Sequence, residues 1–156
     1  MTTDIDPNTI DTRLEAVEEY LVYLRESNPY YSWLEPEIET VDRGFVRLCQ
    51  PSDEQVKPPD VGPSTGINGG VLMTLADAAG MAAIIAEKLE PVPLATTKLN
   101  LSFHNGVDET HAVEATVIDY GSTLATAQIR VVPRSECKDD DPTILASGEA
   151  TARLFD

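Results

Sequence analysis

The residues best suited to chemistry lie along one apolar segment, in which Asn68-Gly69-Gly70 precedes Asp77. A glycine pair that opens a helix leaves backbone N–H groups unpaired at the positive end of the helix dipole, where they can stabilise an oxyanion. Asp77 is the single ionisable residue between positions 69 and 86. Because a carboxylate among apolar neighbours is costly, we expect Asp77 either to be catalytic or to be held by backbone donors. A catalytic Asp77 would activate water or attack a carbonyl carbon directly, which is acyl-transfer chemistry.

The spacing of these residues indicates a site shared between two chains. Gly69 and Asp77 are eight residues apart, which is about 12 Å of helix rise and too far for both to act on one carbonyl carbon. Two such helices lying antiparallel across a twofold axis would bring Gly69 of one chain to Asp77 of the other. We therefore expect a homodimer, or a tetramer made of two dimers.

The first half of the chain is predicted to contain one helix and two strands. Thr12 and Glu15 have capping-box spacing, and apolar residues then recur every three or four positions until Ser27-Asn28-Pro29. This pattern predicts one amphipathic helix. Residues 37–41 and 45–49 are predicted strands joined by a tight turn.

The second half is predicted to contain a central helix and four strands. Residues 51–68 are rich in proline and glycine, which predicts a long ordered loop before residues 69–86. The latter segment is apolar on every side and is therefore predicted to be a central helix. Alternation predicts strands at 97–103, 112–118, 123–131 and 144–154. The inward positions of the last two are small or aliphatic, so an antiparallel sheet can pack closely on the helix in an α+β fold: Ala125, Ala127, Ile129, Val131, Ile144, Ala146, Gly148, Ala150, Ala152 and Leu154.

The order of four motifs resembles hotdog-fold acyl-CoA thioesterases of the phenylacetate-pathway, or PaaI-like, type. These motifs are Asn68-Gly69-Gly70, Leu75-Ala76-Asp77, the strand at 96–103 and the turn Gly121-Ser122-Thr123-Leu124-Ala125. The resemblance covers residues 37–155. It implies a hotdog domain over residues 31–156, with a long central helix wrapped by a curved antiparallel sheet, and an N-terminal helical extension over residues 1–30.

The same resemblance implies roles for individual residues. Asp77 would be the base or nucleophile, and the N–H of Gly69, with that of Gly70, would stabilise the oxyanion next to Asn68. Thr96 falls where the family can carry a hydroxyl that positions the lytic water, although strict alternation puts Thr96 on the opposite face from Leu99. The turn residues Gly121, Ser122, Thr123 and Leu124 would line the path of the pantetheine arm. Coenzyme A would then be part of the substrate, and no separate cofactor is expected.

Three departures from the family pattern keep a second function open. Asn68 stands where the family has a histidine. Gly62 stands where the family often has an amide side chain, and Ser122 stands where it has a basic residue. The alternative is a non-catalytic hotdog protein that binds acyl-CoA or another apolar ligand. A hydratase would require an Asp-His pair in one loop, which neither His104 nor His111 provides.

Other candidate motifs are weaker. Residues 62–66 match the Gly-x-Ser-x-Gly pattern, but no buried strand precedes them and the chain is short for an α/β-hydrolase. His104 and His111 lack acidic or cysteine partners at metal-ligand spacing, so we expect exposed turn residues. Residues 139–141 are three aspartates without the glycine and terminal glutamate of a calcium loop, so we expect a solvated loop. No metal site is predicted.

Composition narrows the possible partners. The 156 residues fit one domain, and 27 acidic against 11 basic residues give a net charge of −16. This charge argues against nucleic acid and anionic membranes as partners, and its even spread is typical of a halophilic cytoplasmic protein. Cys49 and Cys137 form no C-x-x-C pair, and residues 1–11 lack the apolar core of a signal peptide. The longest apolar run, 71–86, is shorter than a bilayer span, so a cytoplasmic protein is expected.

Overall fold

A computed structural model describes residues 6–50, 67–106 and 109–155, which form a six-stranded antiparallel sheet around one long helix. The central helix contacts all six strands. This is the predicted α+β architecture. The elements are α1 (Pro7–Ser27), α2 (Pro29–Leu34), β1 (Glu37–Asp42), β2 (Phe45–Gln50), α3 (Gly69–Lys88), β3 (Leu94–Phe103), β4 (His111–Tyr120), β5 (Leu124–Pro133), a 3₁₀ turn (Arg134–Glu136) and β6 (Ala146–Leu154).

The strands lie in the order β1-β2-β4-β5-β6-β3, and every neighbouring pair is antiparallel. The α3 helix connects β2 with β3, which forms the far edge of the sheet. Most side chains of β3 are at least partly exposed in the single chain. Its outer edge therefore presents backbone groups that a further strand could pair with.

Small residues let α3 approach the sheet closely, as predicted. A Cβ atom added at Gly80 would lie 2.7 Å from the Cβ of Ala150. The inward residues Ala125, Ala127 and Ile129 of β5 are fully buried. The α3 helix is apolar and long enough to cross a membrane by length and composition, but most of it is buried, as the core helix of the fold.

The N-terminal extension differs from its prediction at both ends. The α1 helix begins at Pro7, capped by the Asp6 carboxylate, which accepts the Asn8 N–H at 3.1 Å. A start at Thr12 is therefore wrong, and the Thr12 hydroxyl instead donates to the Asn8 carbonyl inside the helix. Aspartate followed by proline is itself a favourable helix start, because the carboxylate satisfies a free N–H and proline needs no donor there.

A second short helix, α2, follows directly at the predicted stop. Asn28 ends α1 and its side chain caps α2 by accepting the Tyr30 and Tyr31 N–H groups. The predicted boundary between residues 30 and 31 falls inside α2. The extension also shares the main core, in which Val17 of α1 and Leu34 of α2 are buried.

The two cysteines lie in a smaller cluster on the outer face of the sheet, together with Ala112, Val132 and Ile144. Ile144 was predicted to begin the last strand, but β6 begins at Ala146. Burial and the hydrogen bond that the Cys49 thiol donates to Glu39 raise the pKa of Cys49 to about 12. The sulfur therefore stays protonated and unreactive.

His111 is fully buried at the start of β4, so its predicted exposure is wrong. It pairs across the sheet with the buried Gln50, and within the described part of the chain its Nε2 has no hydrogen-bond partner. Burial lowers the pKa of His111 to about 4. His104, in contrast, is exposed as predicted, and so are Asp139, Asp140 and Asp141.

The buried imidazole predicts a loss of stability in mild acid. Below about pH 6.5 the unfolded chain protonates His111, whereas the folded chain does not until about pH 4. The free energy of unfolding should therefore fall by roughly 3 kcal/mol as pH decreases through this window. Urea unfolding of wild type and His111→Gln at several pH values and constant salt should show a flatter profile for the variant. His104→Gln is the control, and an unchanged slope for His111→Gln would contradict the prediction.

Candidate active site

Asp77 and Thr96 form the centre of the candidate site. The Thr96 hydroxyl donates a hydrogen bond of 2.6 Å to the Asp77 carboxylate. Asp77 is half-buried on α3, and Thr96 lies on the edge strand β3. The partner of the Asp77 carboxylate is thus a side-chain hydroxyl, which leaves other lone pairs of the carboxylate available to water or substrate.

A β-bulge explains why Thr96 faces the helix despite its position in the sequence. Thr96 pairs with Ala152 and Lys98 with Thr151, so Thr97 is an extra residue in β3. Leu99 pairs with Ala150, and both Ala150 and Ala152 point into the core. The bulge therefore puts Thr96 and Leu99 on the same face, where strict alternation separates them.

Among the described residues, the two predicted oxyanion donors at the start of α3 differ in their hydrogen bonds. The Asn68 side chain caps the helix by accepting the Gly70 N–H at 2.8 Å, and the Asn68 carbonyl accepts the Val71 N–H at 3.0 Å. Within residues 6–50, 67–106 and 109–155, the Gly69 N–H has no acceptor. Gly70 is therefore engaged by Asn68, whereas Gly69 has no acceptor within the part of the chain that the structure describes.

Within one chain, Gly69 and Asp77 do not meet. Gly69 lies beside the ring of Phe103, which a Cβ atom at position 69 would approach to 3.4 Å. Asp77 lies beside Thr96, near the other end of β3. This separation fits the prediction that a complete site needs two chains.

The turn between β4 and β5 lies at the Asp77 end of the sheet. It is exposed from Gly121 to Leu124 and is closed by the Gly121 N–H, which donates to the Leu124 carbonyl at 2.8 Å. Ala125 pairs with Ala152, and Ala152 pairs with Thr96, so the three lie in one row across the sheet. Thr96 and Ala125 are therefore two strand spacings apart, which is about 10 Å. The structure thus brings the predicted pantetheine turn to the same side as the carboxylate.

Arg153 is a candidate binding residue that sequence reasoning missed. It is exposed on β6 and pairs directly with Leu124 of the turn. Its guanidinium lies 5.5 Å from the centre of the Phe155 ring, and among the described residues it has no carboxylate within ion-pair distance. The register between β5 and β6 brings Arg153 to the turn, close to Ser122. The family resemblance implies a basic residue at the position of Ser122.

An apolar pocket of about 140 Å³ lies next to Asp77. Leu21 and Leu24 of α1, Tyr31 of α2 and Met81 of α3 contribute to its walls. Burial raises the pKa of Tyr31, and the negative charge of Asp77 raises it further, so the phenol stays protonated. Tyr31 was also missed, because the helix that carries it was not predicted.

Another buried carboxylate has a structural explanation. Glu114 on β4 is almost fully buried and accepts hydrogen bonds of 2.7 Å from both Arg47 and Arg130. Because both carboxylate oxygens are paired, Glu114 is not a competing catalytic candidate. Among the described residues, no group of three or more His, Cys, Asp or Glu side chains could hold a metal ion.

Several sequence-based interpretations concern residues outside the described part of the chain. The long loop was predicted over residues 51–68, of which 67 and 68 are described. Gly62, where the family often has an amide side chain, and the Gly-x-Ser-x-Gly pattern at 62–66 lie outside the described residues.

The protein has a long helix wrapped by an antiparallel sheet, and this helix carries a carboxylate and a capped glycine pair. These features define a hotdog-type thioesterase fold. The chain belongs to the thioesterase superfamily, whose family model matches residues 66–136. A protein of Halobacterium salinarum described as "Putative esterase" is 33% identical over 127 residues, which is 80% of this chain and 83% of that protein. These matches support a hydrolase of the thioesterase or esterase class.

Solved structures confirm the predicted fold. A thioesterase family protein from Silicibacter pomeroyi superposes with a TM-score of 0.74 at 22% identity, covering 92% of this chain and 98% of that one. The PaaI protein of the phenylacetic acid degradation operon of E. coli gives a TM-score of 0.75 at 16% identity, covering 92% and 96%. At these identities the similarity concerns the fold, and the PaaI-like type stays a prediction.

Proposed function

We propose that the protein is an acyl-CoA thioesterase, which hydrolyses an acyl- or aryl-CoA to the free acid and coenzyme A. The observation that carries this proposal is the Asp77 carboxylate, held by the Thr96 hydroxyl at 2.6 Å and lying on the wall of an apolar pocket. A thioester combines the two features that this arrangement suits, an electrophilic carbonyl carbon and an apolar acyl group. Coenzyme A enters as part of the substrate.

Asp77 supports two chemical routes. As a general base it accepts a proton from water while the water oxygen attacks the carbonyl carbon, and the carbon–sulfur bond then breaks as the thiolate leaves and is protonated. As a nucleophile it attacks the carbonyl carbon, and the carbon–sulfur bond breaks as the thiolate leaves and is protonated. Water then hydrolyses the resulting anhydride between Asp77 and the acyl group. In both routes Thr96 orients the carboxylate, and negative charge develops on the carbonyl oxygen.

The donor for that oxyanion would come from a second copy of the chain. The Gly69 N–H of the partner lies at the positive end of its α3 dipole and would face Asp77 if the two α3 helices lie antiparallel. The exposed edge of β3 supports such a pairing, because its backbone groups are available to an equivalent strand. The proposed enzyme is therefore a homodimer with two shared sites, or a dimer of such dimers.

A binding protein is the second candidate, favoured by the occupied Gly70 N–H and by Asn68, which cannot titrate. One experiment separates the two functions. Thiol release from a panel of acyl- and aryl-CoA esters, measured in molar salt, tests hydrolysis, and calorimetry with the same esters measures binding. Steady thiol release supports the thioesterase, whereas binding without release supports the binding protein.

Arg153 is expected to bind the phosphates of coenzyme A. It is the basic residue next to the exposed Gly121–Leu124 turn, and a guanidinium binds phosphate through charge-assisted hydrogen bonds. Arg153→Gln should raise KM for an acyl-CoA about tenfold and leave kcat nearly unchanged. A tenfold increase corresponds to the free energy lost with one hydrogen bond to a charged group. The matched S-acyl-N-acetylcysteamine lacks these phosphates, so its KM should not change.

Arg13→Gln is the control for this prediction, because Arg13 is an exposed arginine on α1. Equal increases in KM for the two thioesters, or an unchanged KM for the acyl-CoA, would show that Arg153 does not contact the phosphates.

A further inference from the structure

The pocket next to Asp77 is built largely by residues before position 66, outside the segment that the family model matches. Leu21 and Leu24 of α1 and Tyr31 of α2 form one side. The opposite side is the central helix, where Ala78 and Met81 lie close to Asp77. The helices α1 and α2 therefore form one wall of this pocket and help to set its shape.

We infer that this pocket holds the acyl group of the substrate and restricts it to a compact apolar group, about the size of a benzene ring or a branched five-carbon chain. This inference rests on the proposed function, since it names the substrate class of the same site.

The volume of the pocket supports a compact group. At about 140 Å³ it is close to the roughly 150 Å³ of an apolar cavity that holds benzene. An extended chain such as palmitoyl is larger than this volume and would have to continue outside the pocket. Among the described residues that line the pocket, Arg25 and Asp77 are charged, and the Arg25 guanidinium donates to the Pro36 carbonyl at 3.1 Å. The remaining walls are mainly apolar and favour an uncharged acyl group.

The position of Asp77 fixes which part of the substrate enters. The carboxylate must lie next to the thioester carbon in either chemical route, and this carboxylate lies on the pocket wall. The acyl group then extends into the pocket, and the sulfur points away from it. The pantetheine arm can continue towards the exposed turn at Gly121–Leu124, which lies at the same end of the sheet.

Opposite changes in pocket volume should change acyl preference in opposite directions. Ala78→Leu fills the pocket and should lower kcat/KM for benzoyl-CoA and isovaleryl-CoA about tenfold or more, while acetyl-CoA is little affected. Met81→Ala enlarges the pocket and should raise the ratio of octanoyl-CoA to isovaleryl-CoA by a similar factor. Tyr31→Ala removes the α2 side and should act in the same direction as Met81→Ala.

Tyr23→Ala is the matched control for Tyr31→Ala, because Tyr23 is an exposed tyrosine on the neighbouring helix. Thermal unfolding in the same salt shows which variants are folded. In the wild type, kcat/KM should be higher for benzoyl-CoA or isovaleryl-CoA than for palmitoyl-CoA, and the comparison of the first two distinguishes an aryl from a branched aliphatic substrate.

The results separate this inference from the proposed function. Acyl preferences that stay constant in folded Ala78→Leu, Met81→Ala and Tyr31→Ala would overturn the pocket assignment even if the protein is a thioesterase. If the wild type releases no thiol from any ester, calorimetry provides the readout. Affinity for benzoyl-CoA or isovaleryl-CoA that falls in Ala78→Leu would then support the pocket while the proposed function fails, and unchanged affinity would overturn the pocket as well.

Discussion

Asp77→Asn should remain folded and should lower kcat by roughly 10² to 10⁴, the usual effect of removing a positioned acid or base. Asparagine has nearly the same shape, and its carbonyl oxygen can still accept the Thr96 hydroxyl hydrogen bond of 2.6 Å. It cannot take a proton from water or form an anhydride. The substitution therefore removes the chemistry while preserving the contact that holds the side chain.

Single-turnover thiol release and KM for the same ester separate the loss of chemistry from a loss of binding. Glu90→Gln is the matched control, since Glu90 is an exposed carboxylate just beyond α3. Thr96→Val should lower kcat by about tenfold or more in the wild type but add little in Asp77→Asn, because the two residues act as a unit. A folded Asp77→Asn protein with wild-type turnover would refute the catalytic role of Asp77 and favour the binding protein.

The central helix and its carboxylate could be predicted because their signals are local. An apolar segment without periodicity has to be buried, and a single aspartate within it is conspicuous. The small inward residues of β5 and β6 likewise predicted close packing on α3, and Gly80 against Ala150 confirms it. These predictions needed no knowledge of which strands pair.

Local sequence patterns did not predict the features that depend on pairing between distant parts of the chain, although the family resemblance already gave Thr96 as a candidate. Thr96 reaches Asp77 through a bulge, and one extra residue in a strand leaves no mark in an alternating pattern. Arg153 reaches the turn only through the register of β5 and β6. His111 lies at the start of β4, which pairs with β2 on one edge and β5 on the other, and this position buries it. The residues just before His111 in the sequence are polar, which is why the sequence predicted an exposed turn. The position of Tyr31 is set by the short helix α2. Asn28 caps this helix and also ends α1, so the sequence showed only the end of α1.

The acidic surface bears on the proposed assembly. The chain carries 27 acidic and 11 basic residues, and exposed carboxylates such as Glu15, Glu18 and Glu19 lie along α1. A dimer carries twice the net charge of −16. At low ionic strength the screening length is tens of ångströms, so repulsion acts across the whole interface, whereas in molar salt it falls to about 3 Å.

Activity and dimer content should therefore fall together as salt is diluted. Because the proposed site needs Gly69 of one chain and Asp77 of the other, a separated chain should lose most of its turnover. The same screening also weakens the repulsion between this acidic protein and coenzyme A, which is itself polyanionic. We expect a dimer, or a dimer of dimers, in molar salt and a loosened or unfolded chain at low salt.

Light scattering and thiol release, measured on the same samples from about 0.01 M to several molar salt, test this prediction. Circular dichroism on those samples separates dissociation from unfolding, and a neutral acyl-N-acetylcysteamine ester separates loss of the dimer from repulsion of coenzyme A. Turnover of the neutral ester should follow the dimer fraction across the series. A folded monomer that retains full turnover would refute the shared site, and a dimer that stays intact and active at low salt would refute the dependence on screening.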